Sequence, residues 1–293
     1  MEIQIRNGML SAVITTKGGE LISLKKGGTE YIWQGDAAYW SGRNPILFPA
    51  VGNLKGARTE IGGMEYSMNR HGFARDMEWE LCEQGSDYVT LMLRESTETL
   101  ARYPFAFSLK VTHRLLSDGF STTFLVANRD CKRMPFCIGA HTAFNCPMHD
   151  GERFEDYDLV FETAERAHTL KLTAEGLVAE EPGELILDDA DTLPLSYTPF
   201  ERLDTLAFEG LKSKKVALLH RENGGGVELD FGEFPLVAFW TKPGAPFICL
   251  EPWQGHADSE KTFGRFDDKK YVFSLNTGEI ASFCYKIRII DRK

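Results

Sequence analysis

The chain is most readily defined by what it does not contain. Its six cysteines (Cys82, Cys131, Cys137, Cys146, Cys249 and Cys284) include no C-x-x-C pair, so the spacing typical of structural zinc sites and of thioredoxin-like redox motifs is missing. No run of about 18 apolar residues occurs, so no membrane-spanning helix is expected. There is no run of basic residues, and the formal net charge is -10, which argues against nucleic acid or an anionic membrane as partner. The G-x-S-x-G elbow of nucleophilic hydrolases is absent. The start, Met-Glu-Ile-Gln-Ile-Arg, alternates at once and shows no leader-like hydrophobic stretch; with the cysteine usage, this predicts a reducing, cytoplasmic location.

What is present is alternation. Phe105, Phe107, Leu109, Val111 and Leu115 share one face, opposite Ser108, Lys110, Thr112 and Arg114; Phe283, Tyr285, Ile287 and Ile289 repeat the pattern near the C-terminus. Shorter alternating runs recur throughout, separated by turn signals such as Lys17-Gly-Gly, Gly62-Gly63 and Asn223-Gly-Gly-Gly226. Helical patterns are few: Glu95–Ala101 fits about two turns and Asp204–Phe208 one. The expectation is an all-β chain of many antiparallel strands, in two stacked sheets or a closed barrel. Residues 164–204, rich in Glu, Asp and Pro, read as a long surface excursion within one domain spanning 1–293, because the polar stretches below lie on both sides of it.

Three stretches carry chemistry. Phe136–Pro147 is small and apolar yet holds His141 and Asn145; a buried imidazole there needs partners for both nitrogens, or presents one to a cavity. Asn69–Arg75 contains His71 next to Gly72, which allows close approach of backbone or ligand. Phe247–Trp253 ends an apolar run at Glu251, where partial desolvation would raise the carboxyl pKa. Taken singly, Glu251 also reads as a solvated strand-end glutamate, His71 as a loop histidine and His141 as a satisfied core histidine. His113 falls on an apolar face and reads as packing. Trp253 is placed to lie against the C–H face of a sugar, and Trp40 with Arg43 suggests a pocket rim. No two potential metal ligands are close in sequence, so no metal site is expected.

At these residues the chain resembles a family. Asn44–Gly52, His71-Gly-Phe-Ala-Arg75, Gly139–Pro147 and Leu250-Glu-Pro-Trp-Gln-Gly255, with the opening Gly18–Leu24 and Glu30–Trp33, match in order the aldose 1-epimerases (mutarotases), in particular the bacterial LacX-like branch. The resemblance implies a large antiparallel β-supersandwich (galactose mutarotase-like) with a few short helices and a small-molecule sugar in an open cleft. It implies that Glu251 is the general base at the anomeric hydroxyl, that His141 is the general acid at the ring oxygen, and that His71 positions the sugar. The expected substrate-binding set is His71, Arg43, Asn53, Arg75, Asn145 and Trp253, with no metal or organic cofactor. Asn53 stands where the branch commonly has arginine, and Arg43, Lys55 or Arg75 are the candidates to supply the missing charge. The family's sugar-binding aspartate has no evident counterpart in the sequence.

The function this implies is anomer interconversion of a free hexose. Two other readings stay open: mutarotation of a hexose 6-phosphate, and sugar binding without catalysis on the same scaffold. The chain is expected to act as a monomer or homodimer.

Overall fold

A computed structural model describes residues 1–293. The alternating runs form two large antiparallel sheets, with a four-stranded sheet at the N-terminus. In the nine-stranded sheet the order is Val178–Pro194, Tyr157–Leu172, Lys215–His220, Gly226–Asp230, Ile280–Ile290, Gly119–Asn128, Phe107–Leu115, Tyr88–Arg94 and Glu80–Gln84. The six-stranded sheet runs Thr205–Glu209, Leu236–Trp240, Phe247–Gln254, Ile138–Ala140 and Ile46–Leu47, with Thr142–Asn145 also paired to Phe247–Gln254. No helix is long and apolar enough to cross a membrane.

Aromatic side chains fill the core between the two sheets. Phe48 meets Phe107 with ring centroids 5.2 Å apart, Phe161 meets Phe239 edge-on at 6.0 Å, and Phe136 meets Phe283 at 5.9 Å. All belong to or pack against one core of 63 buried residues. The faces follow from the period of two. Along Phe247–Gln254, Ile248 and Leu250 enter this core. Phe247, Cys249, Glu251 and Trp253 therefore point to the other side of the sheet, where two smaller apolar clusters lie. His113 is a core residue, with Nδ1 3.0 Å from the Thr122 hydroxyl and Nε2 2.8 Å from the Gly19 carbonyl.

Two sequence expectations need correction. Residues 164–204, expected as a surface excursion with no strand assigned to it, are largely regular strand. Tyr157–Leu172 and Val178–Pro194 make a long hairpin at the edge of the nine-stranded sheet, its register broken by several bulges. Its polar, proline-containing sequence concealed a ribbon, because a strand with little burial shows no apolar face. Nor is Asp204–Phe208 helical. The helix is Thr198–Leu203, with Pro199 in its first turn, and Thr205–Glu209 is an edge strand held by Leu236–Trp240. The turn near Glu95 does form, as Thr97–Leu100 behind a Ser96–Thr99 capping box.

Phe48 is fully buried and touches Phe73, Tyr103, Phe107 and Phe136. Phe48→Ala is expected to cost about 3–5 kcal/mol, read as a lower urea midpoint at unchanged slope. A loss under about 1 kcal/mol would show that this cluster does not join the sheets.

Candidate active site

The strand Phe247–Gln254 builds the site. Its register pairs Thr142 with Leu250 on one side and Gly139 with Trp253 further along, which sets His141 directly opposite Glu251. The other neighbour places Ala238 against Glu251. A Cβ on Gly139 would come 3.0 Å from the Trp253 ring and 2.7 Å from the Pro252 carbonyl oxygen. The His141 backbone N–H is fixed by the Pro45 carbonyl. Trp40 and Trp240 enclose the imidazole, with ring centroids 4.9 and 5.6 Å away.

His141 Nε2 lies 3.3 Å from Glu251 Oε2, but off the direction of a hydrogen bond, and both side chains are buried. Neither Glu251 oxygen has a hydrogen-bond partner, and neither do His141 Nδ1, Trp253 Nε1 or His256 Nε2. Those five are among only eight buried side-chain atoms left unpartnered in the whole chain. Buried polar groups are ordinarily paired, so a deficit gathered at one place marks where a polar ligand belongs. Burial drives both ionisable groups toward their neutral forms. It lifts the Glu251 carboxyl well above its usual range, against the opposing pull of Arg70 and, at longer range than a direct hydrogen bond, of the Trp253 indole. It lowers His141 to about 3, helped by the positive charges of Arg70 and Arg75.

Beside the pair opens a cleft walled by Gly52, Asn53, Arg70, His71, Asp204 and Trp253 among others. Leu170, Leu172, Gly176 and Val178 of the long hairpin close its far side. The hairpin is pinned there by the Val178 N–H on the Asp258 carbonyl. Asp258 in turn donates its backbone N–H to the Asn53 carbonyl, and its carboxylate holds Lys269 in a buried ion pair at 2.6 Å.

His71 enters from a loop laid on Ile46–Gly52. Its own N–H reaches the Gly52 carbonyl, while the Phe73 and Ala74 N–H groups share the Phe48 carbonyl. His71 has φ 68 and Gly72 φ 74, two successive left-handed residues. Asp204, also on the cleft wall, has φ 61. Non-glycine residues in this region are uncommon and gather at functional sites. The His71 ring lies 5.8 Å from that of His141 and 6.5 Å from Trp253. Burial first, then Arg70, His141 and Arg75, hold it neutral, well below the ordinary histidine range.

The structure thus gathers His71, His141, Glu251, Asn53 and Trp253 at one place, and sets three expected residues elsewhere. Asn145 faces away, its amide donating to the Glu30 carbonyl, because it lies at the far end of the strand paired with Phe247. Arg43 donates to the Gln34 carbonyl and contributes its own carbonyl to Ala143, so it holds the floor strand and forms no rim. Arg75 donates to the Arg70 carbonyl and supports the loop from behind. Asn53 is on the wall, but its amide is committed to the Glu175 carbonyl. The binding set expected from sequence leaves out Arg70, Asp204 and His256, which line the cleft. For Asp204 a signal existed, an acidic residue between a helix end and an apolar strand. The ligand atoms of His141, Cys249 and Glu251 lie within 4.8 Å of one another and are the residues that could hold a cation. Burial and the nearby Glu251 charge keep the Cys249 thiol protonated, which opposes that use.

Comparisons with known proteins bear on the family and the fold. The family model for aldose 1-epimerase matches residues 1–263. The chain is 36% identical to the plasmid-encoded protein LacX of Lactococcus lactis subsp. lactis, covering 99% of this chain and 100% of that protein. A galactose mutarotase related enzyme from Lactobacillus acidophilus superposes with a TM-score of 0.93 at 28% identity, over 99% of this chain and 98% of that one. A galactose mutarotase-like protein from Lactobacillus casei gives 0.89 at 28% identity, over 99% and 100%. The chain belongs to the aldose 1-epimerase family, a family of isomerases, and it has the galactose mutarotase-like fold.

Gly72 cannot accept a side chain: besides its φ, a Cβ there would lie 2.2 Å from the Phe48 carbonyl oxygen. Gly72→Ala is expected to destabilise the fold by more than about 1 kcal/mol and to displace His71. Chemical denaturation reads the first effect. A variant as stable as the parent would mean that the loop relaxes freely.

Proposed function

We propose that this protein interconverts the α and β anomers of a free hexose. The observation that carries the reading is the buried, unpartnered carboxyl–imidazole pair set face to face by strand register. Such a pair suits a hemiacetal, whose opening moves one proton off the anomeric hydroxyl and one onto the ring oxygen.

Burial favours a pair that holds one proton in total. With that proton on Glu251 both groups are neutral; with it on His141 the pair is a carboxylate and an imidazolium, and the net charge is the same. Opening starts from the second form. Glu251 takes the proton of the C1 hydroxyl, the C1–O5 bond breaks with its electrons passing to O5, and His141 delivers its proton to O5. The pair is left in the first form, the one closure requires. After rotation about C1–C2, Glu251 returns its proton to the carbonyl oxygen while His141 takes that of the O5 hydroxyl. One proton is shuttled each way, so no cofactor is needed for balance. His71 and Asp204 would orient the sugar, the first as an Nε2–H donor, since the Gly52 N–H occupies Nδ1 at 3.1 Å, and the second as an acceptor.

A free sugar suits the surroundings better than a phosphorylated one. In the cavity next to the cleft, Lys171, Lys261, Lys269 and Lys270 are each paired, with Glu181, Glu180, Asp258 and Glu209. A phosphate dianion would find few uncommitted lysines there. The six thiols are all free, in keeping with a reducing compartment.

Polarimetry of freshly dissolved α-D-galactose and α-D-glucose tests the reading. The wild type should accelerate the change in rotation, and Glu251→Gln or His141→Asn should lose on the order of 10²- to 10⁴-fold. Rates that survive both substitutions would sink the mechanism.

The pH dependence follows from the shared proton. Below the acid limb the pair holds two protons and lacks its base; above the alkaline limb it holds none and lacks its acid. With His141 lowered to about 3 and Glu251 raised, kcat/KM should form a broad bell that is flat across the ordinary carboxyl range. A rate climbing through roughly pH 4 to 6, as an unperturbed carboxyl would dictate, contradicts it.

A further inference from the structure

One contact beside the pair cannot be satisfied by the protein alone. His71 has two ring nitrogens and three N–H groups competing for them. The Gly52 N–H points at Nδ1 from 3.1 Å, the Arg70 Nε–H points at Nε2 from 3.0 Å, and the neutral ring carries an N–H of its own. A neutral imidazole offers one lone pair to hydrogen bonds. Whichever nitrogen holds the proton, two donors confront each other. The Gly52 N–H is buried and fixed in the backbone, so it takes the lone pair; Arg70 is an exposed side chain. The confrontation therefore falls at Nε2, where His71 Nε2–H and Arg70 Nε–H face each other on the cleft wall. An oxygen acceptor placed against both removes it.

We propose that Arg70 is a substrate-binding residue that, together with His71 Nε2–H, clamps one hydroxyl oxygen of the sugar, and so supplies the cationic contact that Asn53 does not. This rests on the anomer-interconverting reading of the site. Asn53 is uncharged, and its amide already serves the Glu175 carbonyl. Arg43 and Arg75 are committed to backbone carbonyls away from the cleft, and the Lys55 ammonium to that of Glu260. Arg70 alone among these cations lines the cleft, and its charge reaches His71, His141 and Glu251. Arg75 holds the Arg70 carbonyl at 3.0 Å, so the backbone is anchored while the guanidinium can turn toward a ligand. The fork of the guanidinium suits an oxygen with lone pairs directed at two donors.

The test is a substrate–enzyme cycle. Wild type, Arg70→Gln and Arg70→Lys are assayed by polarimetry on D-galactose and on its 2-, 3-, 4- and 6-deoxy analogues. Arg70→Gln should lower kcat/KM on galactose by about tenfold to a hundredfold, mainly through KM, as a lost charged hydrogen bond does. One deoxy sugar should be penalised by a similar factor in the wild type and not further in Arg70→Gln. The other three should show independent, multiplicative losses. Both limbs of the pH profile should also move upward in Arg70→Gln, because the cation opposing protonation of His141 and Glu251 is gone. Arg70→Gln within twofold of wild type on galactose, or multiplicative losses for all four deoxy sugars, overturns the clamp. If Arg70→Gln does not fold, Arg70→Lys answers by the same cycle. If the wild type does not accelerate anomerisation at all, the proposed function falls, and calorimetric binding of the same five sugars to wild type and variant decides the clamp separately.

Discussion

A carboxyl group and an imidazole are held against each other in an apolar setting with nothing to neutralise them, and the rest of the molecule must tolerate this. Leaving a buried polar atom unpaired costs about 1–3 kcal/mol, and five such atoms lie in and around this site. Two sheets stacked on an aromatic core can carry that cost. The same burial creates the chemistry. It leaves both groups neutral at rest, so either can accept the other's role without a change of net charge, and a solvated pair would have no such latitude.

Backbone geometry is as much a part of the site as side chains are. His71 reaches the cleft only because two left-handed residues turn the loop back onto Phe48, and the Gly52 N–H then fixes which ring nitrogen can face the ligand. Arg75 and Arg43, which from sequence looked like binding residues, instead hold loop and floor through carbonyls. Neither of these guanidiniums lines the cleft.

Much of this was legible from the chain. Strict alternation in 105–115 and at the C-terminus disclosed the sheets, because a strand buried on one face records that face every second residue. The placement of His141 and Glu251 in apolar runs made them candidates, and the family motifs joined them. What stayed hidden had physical reasons. The hairpin 157–194 buries Tyr157, Leu159 and Phe161 at its start, but its outer strand Val178–Pro194 has little burial and carries no apolar stripe. Asn145 shares a strand with Ala143 and ends it on the opposite rim, a distinction set by register and invisible in spacing. Arg70 adjoins a motif histidine, yet an exposed arginine in a loop is unremarkable until its donor is found against an imidazole already occupied.

The chemistry and the enclosure of this cleft come from separate parts of the fold. The buried carboxyl–imidazole pair sits on the floor of the six-stranded sheet, whereas the far wall is lent by a ribbon belonging to the nine-stranded one. Lengthening, shortening or retwisting that ribbon would reshape the space available to a sugar without disturbing the register that opposes His141 to Glu251. Such an architecture can diversify the molecules it admits while its reaction stays fixed, as a lathe keeps its spindle when the chuck is changed.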